Sequence, residues 1–212
     1  MTTRKPVVAA AVFGVAVVAA VVQYAVPSVV PVLERDPSTS GQWWRLATPL
    51  LVQTLGWYQV VMNLVTLALV GVVAERLVGR WRWAVLFVAG TVGGQIAAYA
   101  WREPGGGDSI AICGLAGGVL VWLLVHRREE HPWALRVVVG YVAALAGWGF
   151  GGVLGTAVAV PAAVVVLWLA PARVVLVGTV GCCVVLALAG DLHGVSLVSG
   201  LAAGLAVTLP RR

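Results

Sequence analysis

Charged side chains are scarce in this sequence. They make up only 10% of its 212 residues, which excludes an ordinary soluble domain. Cysteine is scarcer still. Cys113, Cys182 and Cys183 are the only three, and none has zinc-ligand spacing. The adjacent pair sits among Val and Leu, where it reads as a soft hydrophobe. Heptads, low-complexity tracts, a soluble second domain and a detectable inverted repeat are all missing. What is present is apolar: 61% of residues are hydrophobic and mean hydropathy is +0.99. The expected class is an all-α, polytopic membrane protein with one transmembrane domain over 1–212. A retained first span fits the N-terminus better than a signal peptide, because Val7 to Val22 is too long for an h-region and no small-x-small cleavage site closes it. The formal charge of +6 needs no nucleic-acid partner, since membrane topology accounts for it.

Eight spans are predicted. They are Val7 to Ala25, Trp57 to Val73, Trp83 to Ala100, Ile110 to Val125, two short spans within Ala134 to Ala170, Val174 to Ala189, and Leu192 to Leu209. As one helix, Ala134 to Ala170 would be about 55 Å long, against a bilayer core of roughly 30 Å. It must fold back, and the glycine-rich run from Gly147 to Gly152 is the expected place. Pro161 should kink or unwind the second arm. The segment from Pro27 to Gly56, with Trp43, Trp44 and Arg45, is expected to dip back onto the bilayer surface. Trp57, Trp101 and Trp133 read as interfacial anchors, and Glu129 and Glu130 as part of a solvated turn.

Basic residues orient this layout. With the N-terminus in the cytoplasm, 11 of the 14 Lys and Arg fall inside, leaving only Arg35, Arg45 and Arg102 outside. The expectation is a multi-pass protein of the plasma (cytoplasmic) membrane with both termini cytoplasmic. Three spans separate Cys113 from His193, so their helices should run parallel, with both residues near the outer ends.

Polar side chains within the spans are expensive and therefore informative. They are Gln59 and Asn63, four apart on one helix face, then Gln95, Cys113, and His193 with Asp191 beside it. Small residues recur at intervals of four, as Cys113/Gly117, Gly114/Gly118 and Ser196/Gly200/Gly204, and such faces let helices approach closely. The order Trp44-Arg45, Gln59-x-x-x-Asn63, Ala111-Ile112-Cys113-Gly114, and His193 with Ser196 and Gly200 resembles the rhomboid family of intramembrane serine proteases. That family shows Trp-Arg, His-x-x-x-Asn, Gly-x-Ser-Gly and His-x-x-Gly-x-x-x-Gly. Glu75-Arg76 loosely resembles its Glu-x-Arg region. In this alignment Cys113 stands where the family has serine, Gln59 where it has histidine, and Ala111 and Ser196 replace glycines.

The resemblance implies a rhomboid-like bundle, a six-helix core plus two helices, working without metal or organic cofactor. It implies an endopeptidase that cleaves transmembrane helices of other membrane proteins. Cys113 would be the nucleophile, His193 the general base, and Asn63 and Gln59 would hold the oxyanion with the Cys113 N–H. The alternative is a catalytically inactive relative that binds transmembrane clients.

Overall fold

The computed structural model describes residues 5–126 and 131–208. Arg4, Arg127, Arg128, Glu129, Glu130, Leu209, Arg211 and Arg212, which enter the layout above, lie outside the described residues. Among the described residues, seven long helices carry the fold: α1 (Val7–Ala25), α2 (Trp57–Val78), α3 (Arg80–Ala100), α4 (Ser109–Val125), α5 (Pro132–Leu169), α6 (Ala172–Leu188) and α7 (Leu192–Thr208). Of these, α1, α2, α3 and α5 are long and apolar enough to cross a membrane, and the other three are apolar helices of 17 residues. Seventeen residues extend about 26 Å, near the lower limit for a span.

α5 is two arms. Gly152 (φ 57°, ψ −140°) is the non-helical residue inside it, a conformation that glycine adopts without Cβ strain. The Thr156 hydroxyl donates to the Ala144 carbonyl at 3.2 Å, and a Cβ on Gly147 would lie 2.5 Å from the Gly155 oxygen. In an uninterrupted helix, residues 144 and 156 would be about 18 Å apart. The chain therefore doubles back, at the last residue of the glycine-rich run, giving eight helical arms. Pro161 does not unwind its arm, which stays helical on both sides of an exposed proline.

α4 is the axis of the bundle. Every residue from Ser109 to Val121 is buried, because its glycines admit neighbours on two sides. A Cβ on Gly90 of α3 would lie 2.5 Å from the Gly114 backbone, and one on Gly200 of α7 would collide with the Gly114 carbonyl. Gly204 packs on Gly118 in the same way. Both α4–α7 pairs are 86 residues apart in sequence, so the helices run parallel in fixed register. Close backbone approach of this kind is the usual basis of helix association in lipid.

Buried polar groups tie the remaining elements to this kernel. The Glu75 carboxylate, 1% exposed, accepts from the Val8 and Ala9 N–H groups at 3.1 and 2.7 Å, satisfying the open first turn of α1. Between α1 and α2 the chain forms short turns, Pro27–Val29, Val30–Leu33, Trp43–Leu46 and Thr48–Leu51. Two buried arginines hold this segment. Arg45 donates to the carbonyls of Pro31 and Glu34, and Arg35 donates to the Glu103 carbonyl (2.7 Å) and Gln95 Oε1 (3.0 Å). Trp43 and Trp57 remain 78% and 70% exposed, as suits residues meeting lipid headgroups.

A side chain at Gly114 would have to push apart two helices at once. Gly114→Val is expected to destabilise the protein by about 2 kcal/mol or more, whereas Gly178→Val, with open space around it on α6, is expected to be nearly neutral. Unfolding in mixed micelles of increasing denaturing-detergent fraction measures both.

Candidate active site

The loop from Trp101 to Asp108 delivers the chain to α4 in an extended turn anchored by the paired backbones of Arg35 and Gly105 (2.8 and 3.0 Å). Gly106 and Gly107 admit no side chain, because a Cβ would meet Val52 or Gln59. Ser109 is then the first residue of α4, and His193 the second of α7. The parallel register brings them together, with Ser109 Oγ 3.0 Å from His193 Nε2.

This differs from the expected pairing. His193 does not meet Cys113. The 86-residue offset sets Cys113 level with Ser199, more than a turn deeper than the imidazole. Cys113 Sγ instead pairs with Tyr141 Oη at 3.3 Å, and that hydroxyl also reaches the Ser109 carbonyl at 3.3 Å. The Cys113 N–H lies inside the helix, where the ladder to the preceding turn uses it. The signal for Ser109 is present in the sequence as Gly107-Asp108-Ser109-Ile110, a Gly-x-Ser four residues before Ala111-Ile112-Cys113-Gly114, with Ile110 where the resembled pattern has its last glycine.

Of the two amides on α2, Asn63 is 7% exposed and donates to Gln53 Oε1 at 2.8 Å. Gln53 is a hub that sequence reasoning missed. Its Nε2 donates to Asp108 Oδ1 (2.9 Å), and its backbone exchanges hydrogen bonds with the Gln23 side chain of α1 (2.9 and 2.7 Å). No motif marks it, since it sits in an irregular segment. Gln59 ties down the loop before Ser109: it accepts from the Leu55 N–H and donates to the Gly106 carbonyl, at 2.8 and 2.9 Å. Burial pushes the Asp108 carboxyl up, against the pull of the Gln53 hydrogen bond. Among the described residues its Oδ2 has no partner.

Asp191, immediately before α7, accepts from the N–H groups of His193 (2.7 Å) and Gly194 (3.2 Å) through Oδ1, the geometry of a helix N-cap. The same oxygen lies 3.1 Å from His193 Nδ1. Burial is the largest single influence on this carboxyl and pushes it up, but its hydrogen bonds and the facing imidazole together hold it below the usual range.

In front of Ser109 and His193 opens a cavity of about 110 Å³, between α2 and the first arm of α5. Tyr58, Met62, Leu145 and Trp148 line it, and it is mostly apolar. Tyr58 and Trp148 stack across its mouth, ring centres 5.2 Å apart. Among the described residues no cluster of His, Cys, Asp and Glu is arranged to hold a metal ion.

Removing Gln53 would leave the buried Asp108 and Asn63 groups without their shared partner. Gln53→Ala is expected to cost about 2 kcal/mol of stability and to lower the melting midpoint in detergent micelles, while Ser40→Ala, at an exposed loop position, leaves it close to wild type.

The sequence profile described as the Rhomboid domain matches residues 40–211. The rhomboid protease GluP of Bacillus subtilis (strain 168) is 34% identical over 96 residues, covering 45% of this chain and 19% of that protein. The putative rhomboid protease YdcA of the same organism is 31% identical over 117 residues, covering 50% of this chain and 57% of its own. The chain thus spans well under two thirds of the length of either relative, and no solved structure matches it significantly. With the family profile covering most of the sequence, from the loop before α2 to the end of α7, the chain belongs to the rhomboid family.

Proposed function

We propose that the protein, acting as one transmembrane domain over 1–212, is an intramembrane serine endopeptidase with Ser109 as nucleophile and His193 as general base. The observation that carries this reading is the 3.0 Å contact between Ser109 Oγ and His193 Nε2 at the edge of an apolar cavity. A hydroxyl is a weak nucleophile until a base within hydrogen-bond reach takes its proton. In the proposed reaction Ser109 Oγ attacks the scissile carbonyl carbon and its proton passes to His193 Nε2. The tetrahedral oxyanion collapses, the C–N bond breaks, and the leaving amine takes the proton from His193. Water then releases the acyl group by the same exchange.

The Ser109 N–H, in the open first turn of α4, and the Asn63 side-chain amide are the proposed oxyanion donors. Gln59 serves them by holding the loop through Gly106. Cys113 takes no part in the reaction. It lies a turn below the nucleophile and supports Tyr141, which holds the Ser109 carbonyl.

The cavity lies between α2 and α5. A transmembrane substrate helix enters there by this reading, and lateral entry suits an apolar lining. The proposed setting is the plasma membrane, with both ends of the chain in the cytoplasm and the site near the opposite face. Lys5 and Arg80 line one crevice with Glu75 at the far end of the bundle, consistent with the N-terminus and the α2–α3 turn sharing the positive, inner side.

The test uses purified protein in lipid vesicles with a single-span substrate whose helix is weakened by Gly and Pro near one end. Wild type cleaves it, Ser109→Ala and His193→Ala each reduce turnover by at least 1000-fold, and Cys113→Ala retains most of the activity. A fluorophosphonate labels Ser109 in the wild type. Loss of cleavage in Cys113→Ala with Ser109→Ala active would reverse the assignment, and binding of the substrate without cleavage or labelling would favour the client-binding alternative.

A further inference from the structure

We infer that Asp191 is a positioning residue for His193, making the site a Ser109–His193–Asp191 relay rather than a serine and histidine alone. This rests on the proposed serine-protease reading. A single oxygen, Asp191 Oδ1, receives the backbone N–H of His193, the N–H of Gly194 and the ring at Nδ1. The two backbone bonds fix the carboxylate relative to the first turn of α7. The third fixes the imidazole relative to the carboxylate. Together they leave the ring little freedom, with Nε2 aimed at Ser109 Oγ.

The chemistry selects the tautomer. An ionised carboxylate can only accept, so Nδ1 carries the proton and Nε2 is left as the acceptor of the serine hydroxyl. The imidazolium that forms when Nε2 takes the serine proton then faces a negative charge 3.1 Å away. Among the described residues no other acidic group pairs with His193. The Asp191 side chain is 27% exposed, and its Oδ2 faces Gly149 of α5, which brings no side chain toward it. Its hydrogen bonds and the facing imidazole favour the ionised form beside an apolar cavity, whereas burial pushes the more enclosed Asp108 carboxyl up.

A cap alone would explain the two backbone bonds, so the test separates capping from positioning. Asp191→Asn keeps an oxygen for all three bonds and removes only the charge. Asp191→Ser keeps a cap but is too short to reach the ring. The readout is the rate of Ser109 phosphonylation by a fluorophosphonate, in which the Ser109 oxygen bonds to phosphorus, fluoride leaves and His193 takes the proton. No protein substrate is needed. The expected result is a maximal labelling rate lowered about tenfold by Asn and about 100-fold or more by Ser, with the half-saturating concentration and the melting midpoint near wild type.

Labelling at the wild-type rate in both variants would overturn the role of Asp191 while leaving Ser109 and His193 intact. If wild type itself is not labelled at Ser109, both the relay and the protease reading fall. Should the Ser variant unfold, the Asn variant decides alone.

Discussion

Backbone-to-backbone contact at Gly114 is the constraint on which the molecule depends. One glycine on α4 is met from one side by Gly90 of α3 and from the other by Gly200 of α7. In lipid there is no hydrophobic gain from pressing Leu against Leu, so close packing and hydrogen bonding must hold helices together. Contacts at this separation also fix register far more tightly than interdigitated long side chains do. A slide of one residue would bring a side chain where only hydrogen fits. The register of α7 on α4 is thereby set, and with it the meeting of Ser109 and His193 at one end of the pair.

The site is built at the ends of elements rather than within them. Ser109 and His193 occupy first turns, where backbone N–H groups have no partner within their helix. At α7 those groups are taken by Asp191. At α4 they remain near the nucleophile, on the side where an oxyanion would form in the proposed reaction. Distant segments then brace this end. Gln23 of α1 holds Gln53, Gln53 holds Asp108 and Asn63, and Gln59 holds the loop through Gly106. Amides suit this task in an apolar surround because each both donates and accepts without carrying charge. The cavity in front is mostly apolar, with Ser109 and His193 along one edge.

Much of this was legible in the residues. Hydropathy and length marked the eight arms, and the 38-residue α5 had to double back on length alone. The intervals of four in Cys113/Gly117, Gly114/Gly118 and Gly200/Gly204 announced close helix contact. His193 and Asn63 stood out as polar groups in apolar helices. Which residue of α4 meets His193 is harder to read, because Cys113 and Ser109 are four apart and share a helix face; the structure puts Ser109 there, one turn above Cys113. A Gly-x-Ser at the edge of a polar loop also looks like ordinary turn chemistry. Gln53 carried no signal at all, since an irregular segment has no periodicity from which to read a direction.

By itself, then, the order of amino acids determined that the chain is an apolar helical bundle of the rhomboid family, how many arms it has, and which helices pack through glycine. Those properties follow from local periodicity, length and side-chain size, all of which are short-range. Only the tertiary structure decided which hydroxyl or thiol the imidazole reaches and which carboxylate stands behind it. That choice depends on the axial offset between two helices 86 residues apart, and a shift of one turn, about 5.4 Å, exchanges Ser109 for Cys113 without altering any local pattern.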